Sequence, residues 1–260
     1  MFNFKVLENQ VYLYDGSFNG LLSVVFDCYL SKTIPANVLP KEDYLPNLLE
    51  TSYFISTNEQ KANRIWHGIY TNISYTALYD CYYAFLSCQK GKELAILKYL
   101  LHGFLIGSSI CNRLAIDYVL EVTKLRKNVL GEAHRLKGLV RLSEVENNLW
   151  YAPIHPDNNV IEQVGHFLME RFPSQNLILH DKNRNLAFLY STQNKNDYEI
   201  LEVPANFKVS KFSKEEMQFQ KLWKTFFDTI SIKERTNPRL QMQFMPKKYW
   251  KDLTELKGIS

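Results

Sequence analysis

The spacing of the apolar positions changes several times along this chain, and each change predicts a new structural element. In residues 2–7 and 11–15, apolar and polar side chains alternate on either side of three polar residues, which predicts a short N-terminal hairpin. Asp15 and Gly16 then predict a turn. Ser17 is a suitable N-cap, because the apolar residues that follow it have helical spacing.

Helical spacing dominates the next part of the sequence. Residues 33–47 contain three prolines and are predicted as a loop, and residues 52–56 as a short strand. Apolar residues then recur at three- and four-residue intervals, which predicts three helices, the first broken near Ser74: 61–87, 91–107 and 113–137.

The period becomes that of strands after Gly138. LVRLSEV and LWYAPI predict two strands, residues 158–172 a helix, and NLILHD, NLAFLYS and YEILEV three more strands. This ββαβββ order predicts a mostly antiparallel sheet with one helix on a face. Residues 213–230 are predicted as a further helix, with Ser213 as N-cap and Glu216 at the capping-box position.

These elements predict an α+β fold in three regions packed as one compact unit. The regions are an N-terminal hairpin with a helical layer (1–137), the antiparallel sheet (138–204), and a C-terminal helix with a basic aromatic arm (205–260). A chain of 260 residues is long enough to bury a substantial core.

Composition excludes several classes of protein. The N-terminus has no basic segment followed by an apolar run, and the apolar stretch LAILKYLLHGFLIG is interrupted by Lys98 and His102. We therefore expect a cytoplasmic protein with no membrane span. The four cysteines contain no C-x-x-C pair, so we expect neither a metal site nor a cofactor bound through cysteine, and no cofactor is predicted.

Charge is unevenly distributed along the chain. The net charge is −1 over residues 1–112, +4 over 113–141, −5 over 142–204 and +6 over 205–260. Two basic segments therefore flank an acidic one. Clustered positive charge is typical of a phosphate-binding surface, and it also suits docking onto an acidic protein.

The first basic segment contains the stretch GEAHRLKGLVR. Lys124, Lys127, His134 and Arg135 are predicted on the helix face opposite the apolar stripe, where they either bind phosphate or simply complement the helix dipole. Glu132 is predicted beside the apolar stripe, where a carboxylate needs a basic partner. A structural ion pair is favoured there over a general base.

Other candidate residues follow in the sheet region. Arg141 is predicted on the first strand, paired with Glu144 or Glu146 on the same hairpin. His155 and Asp157 form an H-x-D pair that could ligate a metal with further ligands, although Asp157 is more simply a helix N-cap.

The other two arginines of this region, Arg171 and Arg184, lie at the ends of predicted elements. Asp181 and Arg184 flank a predicted hairpin turn. Arg171 suits a helix C-terminus or a phosphate contact.

The C-terminal tail combines cations with aromatic rings. Its residues are Lys233, Arg235, Arg239, Lys247, Lys248 and Lys251, interleaved with Phe244, Tyr249 and Trp250. This pattern suits a single nucleic-acid strand, with cations on phosphates and rings stacked on bases. The alternative is an arm whose aromatic residues pack on the core. Phosphate-binding loops, Rossmann fingerprints, H-E-x-x-H and G-x-S-x-G motifs do not occur.

Four blocks resemble, in order, a bacterial family known as "probable DNA metabolism protein". They are YDGSFNGLLSVVFDCY, EAHRLKGLVRL, LWYAPIHPDNNVI and ERTNPRLQMQFMPKKYW. The resemblance implies a genomic partner, a radical-SAM protein assigned to DNA modification or repair, and some members are fused to a uracil-DNA-glycosylase-like domain. Leu139 and Leu142 stand where the family pattern suggests aromatic residues.

The resemblance brings motif positions rather than catalytic roles. These positions are Asp15, Gly16, Ser17, Glu132, His134, Arg135, Arg141, Pro156, Asp157, Arg171, Asp181, Arg184, Arg235, Asn237, Pro238, Pro246, Tyr249 and Trp250. With no radical-SAM cysteines in this chain, any radical chemistry would belong to the partner.

Three functions fit these observations. The leading hypothesis is a DNA-repair accessory protein that binds nucleic acid and works with a radical-SAM or glycosylase-type partner. Its predicted contacts are Lys124, Lys127, Arg135, Arg171, Arg184, Arg235, Arg239, Lys247, Lys248, Tyr249 and Trp250. We expect the basic helix face and the basic aromatic tail to form one groove, with Tyr249 or Trp250 stacked on a base. The second is a nucleic-acid-processing enzyme that uses Glu132, His134, Arg141 and Asp157. The third is a protein–protein adaptor that binds no nucleic acid.

Overall fold

The computed structural model describes residues 4–145, 148–193, 197–207, 209 and 212–256. The chain divides into two compact units, residues 1–129 and residues 130–260. Both contain helices and strands, which confirms the predicted α+β class. The sheet region and the C-terminal arm, predicted as separate regions, lie in the same unit.

A three-stranded parallel sheet forms one layer of the first unit. Its strands are β1 (Lys5–Tyr14), β2 (Thr33–Pro40) and β3 (Thr51–Phe54), in the order β2-β1-β3. The predicted N-terminal hairpin is wrong, because residues 5–14 form one strand. Its pairing with β2 shifts register between Leu7 and Val11, so the polar residues there form an irregularity rather than a turn.

The predicted loop over residues 33–47 is also partly wrong. Its first half is strand β2, which contains Pro35 and Pro40. These prolines are tolerated because β2 lies at an edge of the sheet, where a missing N–H need not break a ladder.

Five helices complete the first unit and lead into the second. They are α1 (Phe18–Ser31), α2 (Glu59–Gly68), α3 (Tyr75–Phe85), α4 (Lys92–Ile106) and α5 (Asp117–Leu139). The Ser17 hydroxyl accepts from the Gly20 N–H, so this residue caps α1 as predicted. Ser74 marks the predicted helix break and caps α3 through the Ala77 N–H.

One helical stretch among the described residues, Lys92–Asn112, is long and apolar enough to cross a membrane by length and composition. It combines α4 with the 3-10 turn that follows it, so it is longer than the interrupted run in the sequence suggests. Ile96, Leu97, Leu100 and Leu101 of this stretch are fully buried in the hydrophobic core of the first unit.

A five-stranded sheet forms the centre of the second unit. Its strands are β4 (Ser143–Val145), β5 (Leu149–Ile154), β6 (Asn176–Asp181), β7 (Leu186–Tyr190) and β8 (Tyr198–Glu202), in sequential order. Helix α6 (Ile161–Arg171) connects β5 to β6, the parallel pair, and the other three pairs are antiparallel. The predicted ββαβββ order and its mostly antiparallel pairing are confirmed.

The chain ends in a helical arm. It consists of α7 (Lys214–Ile230), α8 (Pro238–Phe244) and a 3-10 segment (Lys247–Asp252). Ser213 caps α7 as predicted. The Glu216 carboxylate, however, accepts from the Glu144 N–H and from the Gln220 amide, so Glu216 joins α7 to β4 instead of closing a capping box.

Candidate nucleic-acid interface

The Glu132 carboxylate lies at the centre of a saturated hydrogen-bond cluster. Its side chain is on α5 and only 1% exposed. It accepts from the backbone N–H of Asp157 (3.0 Å), from the backbone N–H (2.8 Å) and amide (2.6 Å) of Asn158, from Lys248 Nζ (2.7 Å) and from Tyr249 OH (2.6 Å). The basic partner that the sequence requires for Glu132 is therefore Lys248, from the far end of the chain.

These donors change the acidity of Glu132. Burial raises the pKa of this carboxyl, but the hydrogen bonds from Lys248, Tyr249 and the two backbone N–H groups outweigh burial and lower the pKa to about 2. A carboxylate that is this weakly basic and already accepts five hydrogen bonds is poorly suited to remove a proton. Its geometry is that of a structural anchor.

Lys248 and Tyr249 need a different role from the one predicted. The Lys248 ammonium contacts both Glu132 and Asp157, so its charge is already neutralised inside the protein. Burial lowers the pKa of Lys248, but the hydrogen bonds to Asp157 and Glu132 raise it overall. The Tyr249 ring is 1% exposed. Of the two rings predicted to stack on a base, Tyr249 or Trp250, the burial of Tyr249 excludes Tyr249 and leaves Trp250, which is partly exposed.

Arg141 has a carboxylate partner that sequence reasoning did not find. It lies in the connection before β4, and its guanidinium contacts both oxygens of Glu255 at 2.6 and 3.3 Å. The predicted pairing with Glu144 is wrong, and Glu146 lies outside the described residues. The Trp223 indole N–H also donates to Glu255 at 3.1 Å.

The H-x-D pair separates in the structure. His155 Nδ1 lies 2.8 Å from Asp252, whereas the Asp157 carboxylate contacts Lys248. Among the described residues, no group of three or more metal-ligating side chains comes together. The prediction of Asp157 as N-cap is wrong, because α6 begins after Val160 without a side-chain cap.

Asp181 and Arg184 flank the β6–β7 turn, as predicted. The Asp181 carboxylate is fully buried and contacts Arg184 at 3.1 Å. Burial raises the pKa of Asp181, and the arginine opposes this rise. The Arg184 guanidinium also donates to the carbonyl oxygens of Pro156 and Asp157. Arg184 thus has internal partners for its donors, which disfavours the predicted role in phosphate binding.

The remaining predicted cations lie at the surface. On α5, Lys124, Lys127, His134 and Arg135 are exposed, which agrees with the basic face expected opposite the apolar stripe. Arg171 is exposed in the last turn of α6. His134 does not lie in the Glu132 cluster, and Arg141 pairs with Glu255, so the structure does not bring the four catalytic candidates into one hydrogen-bonded group.

A groove within the C-terminal arm brings together the other predicted residues. We call it the arm groove. Its volume is about 880 Å³. The polar and aromatic residues that line it include Arg235, Asn237, Gln241, Phe244, Lys247 and Trp250, and apolar side chains such as Leu240 and Met242 complete the lining. Arg239, on the first turn of α8, is exposed but does not line the groove.

The groove residues remain accessible to a ligand. Phe244 is 68% exposed, and Lys247 Nζ lies 5.6 Å from the centre of the partly exposed Trp250 ring. Neither Arg235 nor Lys247 forms an ion pair with any residue that the structure describes. Unlike Lys248 in the Glu132 cluster, these two residues keep their positive charge available for an external partner.

Sequence reasoning missed the partners supplied by the last residues of the chain. Glu255 forms an ion pair with Arg141, and Asp252 hydrogen-bonds His155, although these partners lie 114 and 97 positions apart in the sequence. The Trp223 indole N–H donates to Glu255 from 32 positions away. No local pattern could reveal these contacts, since they depend on how the arm folds back onto the sheet.

Comparison with known proteins identifies a family. The family described as "Domain of unknown function (DUF4130)" matches residues 90–255, well over half of the chain. No curated protein and no solved structure matches the chain. The matched range includes the Glu132 cluster and the arm groove, but not the first block of the predicted resemblance. The chain therefore belongs to the DUF4130 family.

Proposed function

We propose that this protein binds single-stranded nucleic acid, as an accessory protein of DNA repair or metabolism, and that the arm groove is its binding site. The observation that carries this proposal is the set of exposed cations and aromatic rings around one groove. Cations hold phosphates and rings stack on bases in proteins that bind single strands without strict sequence preference.

Each part of the groove supplies one element of such binding. Arg235 and Lys247 face solvent and would neutralise two phosphates. Phe244 and Trp250 offer ring surface for stacking, and the Asn237 and Gln241 amides supply hydrogen-bonding groups nearby. The +6 charge of residues 205–260 would draw a polyanion towards the arm.

A salt series tests this function. A labelled single-stranded DNA 12-mer is titrated with the full chain between 50 and 200 mM salt. Phosphate contacts cause a linear fall of log affinity against log salt, by about 0.7 for each phosphate neutralised on a single strand. Affinity that does not change with salt, or no binding at 50 mM salt, would sink the proposal.

The partner is the second part of the proposal. The four sequence blocks suggest that the protein acts beside a radical-SAM or glycosylase-type protein, to which it would present the bound strand. The family match gives no activity, so this association is supported by the resemblance alone. Co-purification after nuclease treatment tests it, because an association that depends on shared DNA would disappear.

A protein–protein adaptor is the second candidate function. One observation favours it: Met217, Leu222 and Phe226 project from α7 with half or more of their surface exposed. Large exposed apolar patches often mark protein interfaces. In this case the partner would co-purify with the nuclease-treated protein, and the salt series would detect no DNA binding.

A further inference from the structure

A second cavity lies beside the arm groove, and we call it the α7 pocket. Its volume is about 300 Å³, and its lining consists of Arg141, Leu142, Glu216, Phe219, Gln220, Trp223 and Thr254. This equals the volume of about ten water molecules at about 30 Å³ each, which suits a planar ring system with about ten heavy atoms. The pocket is open on one side, so a ligand could enter it from solvent.

The α7 pocket and the arm groove share one helix face. Glu216, Gln220 and Trp223 line the pocket, and Phe227 and Ile230 line the groove. These five positions follow one another at intervals of four and three residues, so they form a single stripe along α7. From Trp223 to Phe227 the helix rises about 6 Å, which is comparable with one step of an extended nucleotide chain.

Two aromatic residues form walls of the pocket. Phe219 and Trp223 lie one helical turn apart, where side chains are neighbours. Trp223 packs against Phe226 at 5.9 Å, on its side away from Phe219 along the helix. Phe219 is 62% exposed, so most of its ring surface can contact a ligand. Aromatic walls of this kind stack on nucleobases of any sequence.

The polar groups at the pocket offer a ligand hydrogen-bond acceptors. The Gln220 amide N–H₂ donates to Ser143 and, at 2.6 Å, to Glu216. A carboxylate at that distance requires a donor, so the amide nitrogen of Gln220 faces Glu216. The amide oxygen Oε1, an acceptor, is therefore the atom of Gln220 that a ligand can contact. This acceptor, together with the Thr254 hydroxyl, suits a base that carries an exocyclic amine.

We propose that the α7 pocket receives one unstacked nucleobase of a strand bound in the arm groove, with preference for a base that has an exocyclic amine. The proposal rests on the proposed function, because it requires a bound strand. It adds a defined position at which a base is read. Arg141 and Glu255 form the charged pair that fixes the pocket wall.

Abasic substitutions test the pocket. A 12-mer that contains a single adenine among thymines binds the full chain, and removal of that adenine base lowers the affinity by about 5- to 150-fold, the range for one stacked base. Replacing adenine by purine, which keeps the ring but lacks the amine, lowers affinity less, by about 2- to 10-fold.

A matched pair of variants connects this effect to the pocket. Phe219→Ala should remove most of the difference between the adenine and abasic strands. Leu222→Ala should retain it, since Leu222 is on the same helix and 69% exposed but does not line the pocket. Both positions are exposed, so both variants should fold.

The outcomes separate this proposal from the proposed function. Salt-dependent binding with equal affinity for the adenine and abasic strands would overturn the pocket and leave the groove intact. An equal effect of both variants would overturn the pocket as well. No binding of any strand at 50 mM salt would overturn both proposals.

Discussion

Lys247 and Lys248 are neighbours in the sequence but have opposite environments. The Lys248 ammonium contacts two carboxylates, one of them the buried Glu132. Lys247 faces solvent at the edge of the arm groove, above the Trp250 ring. The two residues show how one basic motif divides between an internal anchor and an external surface. Basic residues in a sequence therefore indicate a binding surface only when the residues that form internal ion pairs are not counted.

The Glu132 cluster and the arm groove extend this contrast to whole regions. In the cluster the carboxylate oxygens of Glu132 are saturated with donors. In the groove, Arg235 and Lys247 have no ionic partner among the described residues. Changes in the cluster should therefore affect stability, and changes in the groove should affect binding.

The largest effect on stability is expected at Arg184. Arg184→Met removes the cation from the fully buried Asp181 carboxylate and should lower the free energy of unfolding by about 3–5 kcal/mol. Urea denaturation measures the loss. The double variant Arg184→Met with Asp181→Asn should recover part of it, and a single variant as stable as the wild type would show that this pair is not an anchor.

The stability of the protein at low pH should depend on Glu132. The pKa of its carboxyl is about 2 in the folded protein and 4.5 when unperturbed, so its contribution is fully present above pH 4.5 and is lost as pH falls towards 2. This shift corresponds to about 3 kcal/mol. Denaturation at a series of pH values measures it, and Glu132→Gln, although less stable at neutral pH, should show a flatter profile in this window.

His180 should make the free energy of unfolding depend on pH in a second, higher pH range. Burial lowers the pKa of this histidine from 6.5 to about 4, so the folded state favours its neutral form, and stability falls as pH drops from 6.5 towards 4. His180→Gln should flatten this window and leave the lower one unchanged. If the Glu132→Gln and His180→Gln variants show the same dependence of stability on pH, the assignment of the two pH ranges to these two residues is wrong.

Groove variants should change binding with little change in stability. Arg235→Ala should lower the affinity for single-stranded DNA several-fold and reduce the salt slope by about 0.7, the value for one phosphate. Because Arg235 is exposed, its unfolding free energy should remain within about 0.5 kcal/mol of the wild type. An unchanged salt slope would remove Arg235 from the interface.

The smallest effect is expected at Arg171. It is exposed at the end of α6 and does not line the arm groove. Arg171→Ala should cost a few tenths of a kcal/mol through the helix dipole and leave the salt slope unchanged. A slope change equal to that of Arg235→Ala would mean that the binding surface extends to α6.

The sequence predicted most elements that depend on local periodicity. The helices, the break at Ser74 and the ββαβββ order follow from spacing and capping residues, and the structure contains them. Strand β1 was predicted as a hairpin because its partners, β2 and β3, lie far along the chain and pair with it in parallel. Local alternation cannot distinguish one irregular strand from two short ones.

The candidate site was less predictable for a similar reason. Tyr249 and Trp250 are adjacent aromatic residues, and the sequence gives no sign that Tyr249 is the one that binds Glu132, 117 positions away. The need of Glu132 for a partner was visible, because its position beside an apolar stripe makes an unpaired carboxylate costly. The identity of that partner depended on tertiary structure. The prediction that Lys124 and Lys127 share one groove with the tail remains a prediction.

The salt slope of two lysine variants tests the central claim most directly. Lys247→Ala removes a charge from the groove. The double variant Glu132→Gln with Lys248→Met replaces the internal ion pair with neutral residues of similar size. We predict that Lys247→Ala reduces the slope of log affinity against log salt by about 0.7 and that the double variant has the wild-type slope. A reduced slope in the double variant together with an unchanged slope in Lys247→Ala would contradict the account.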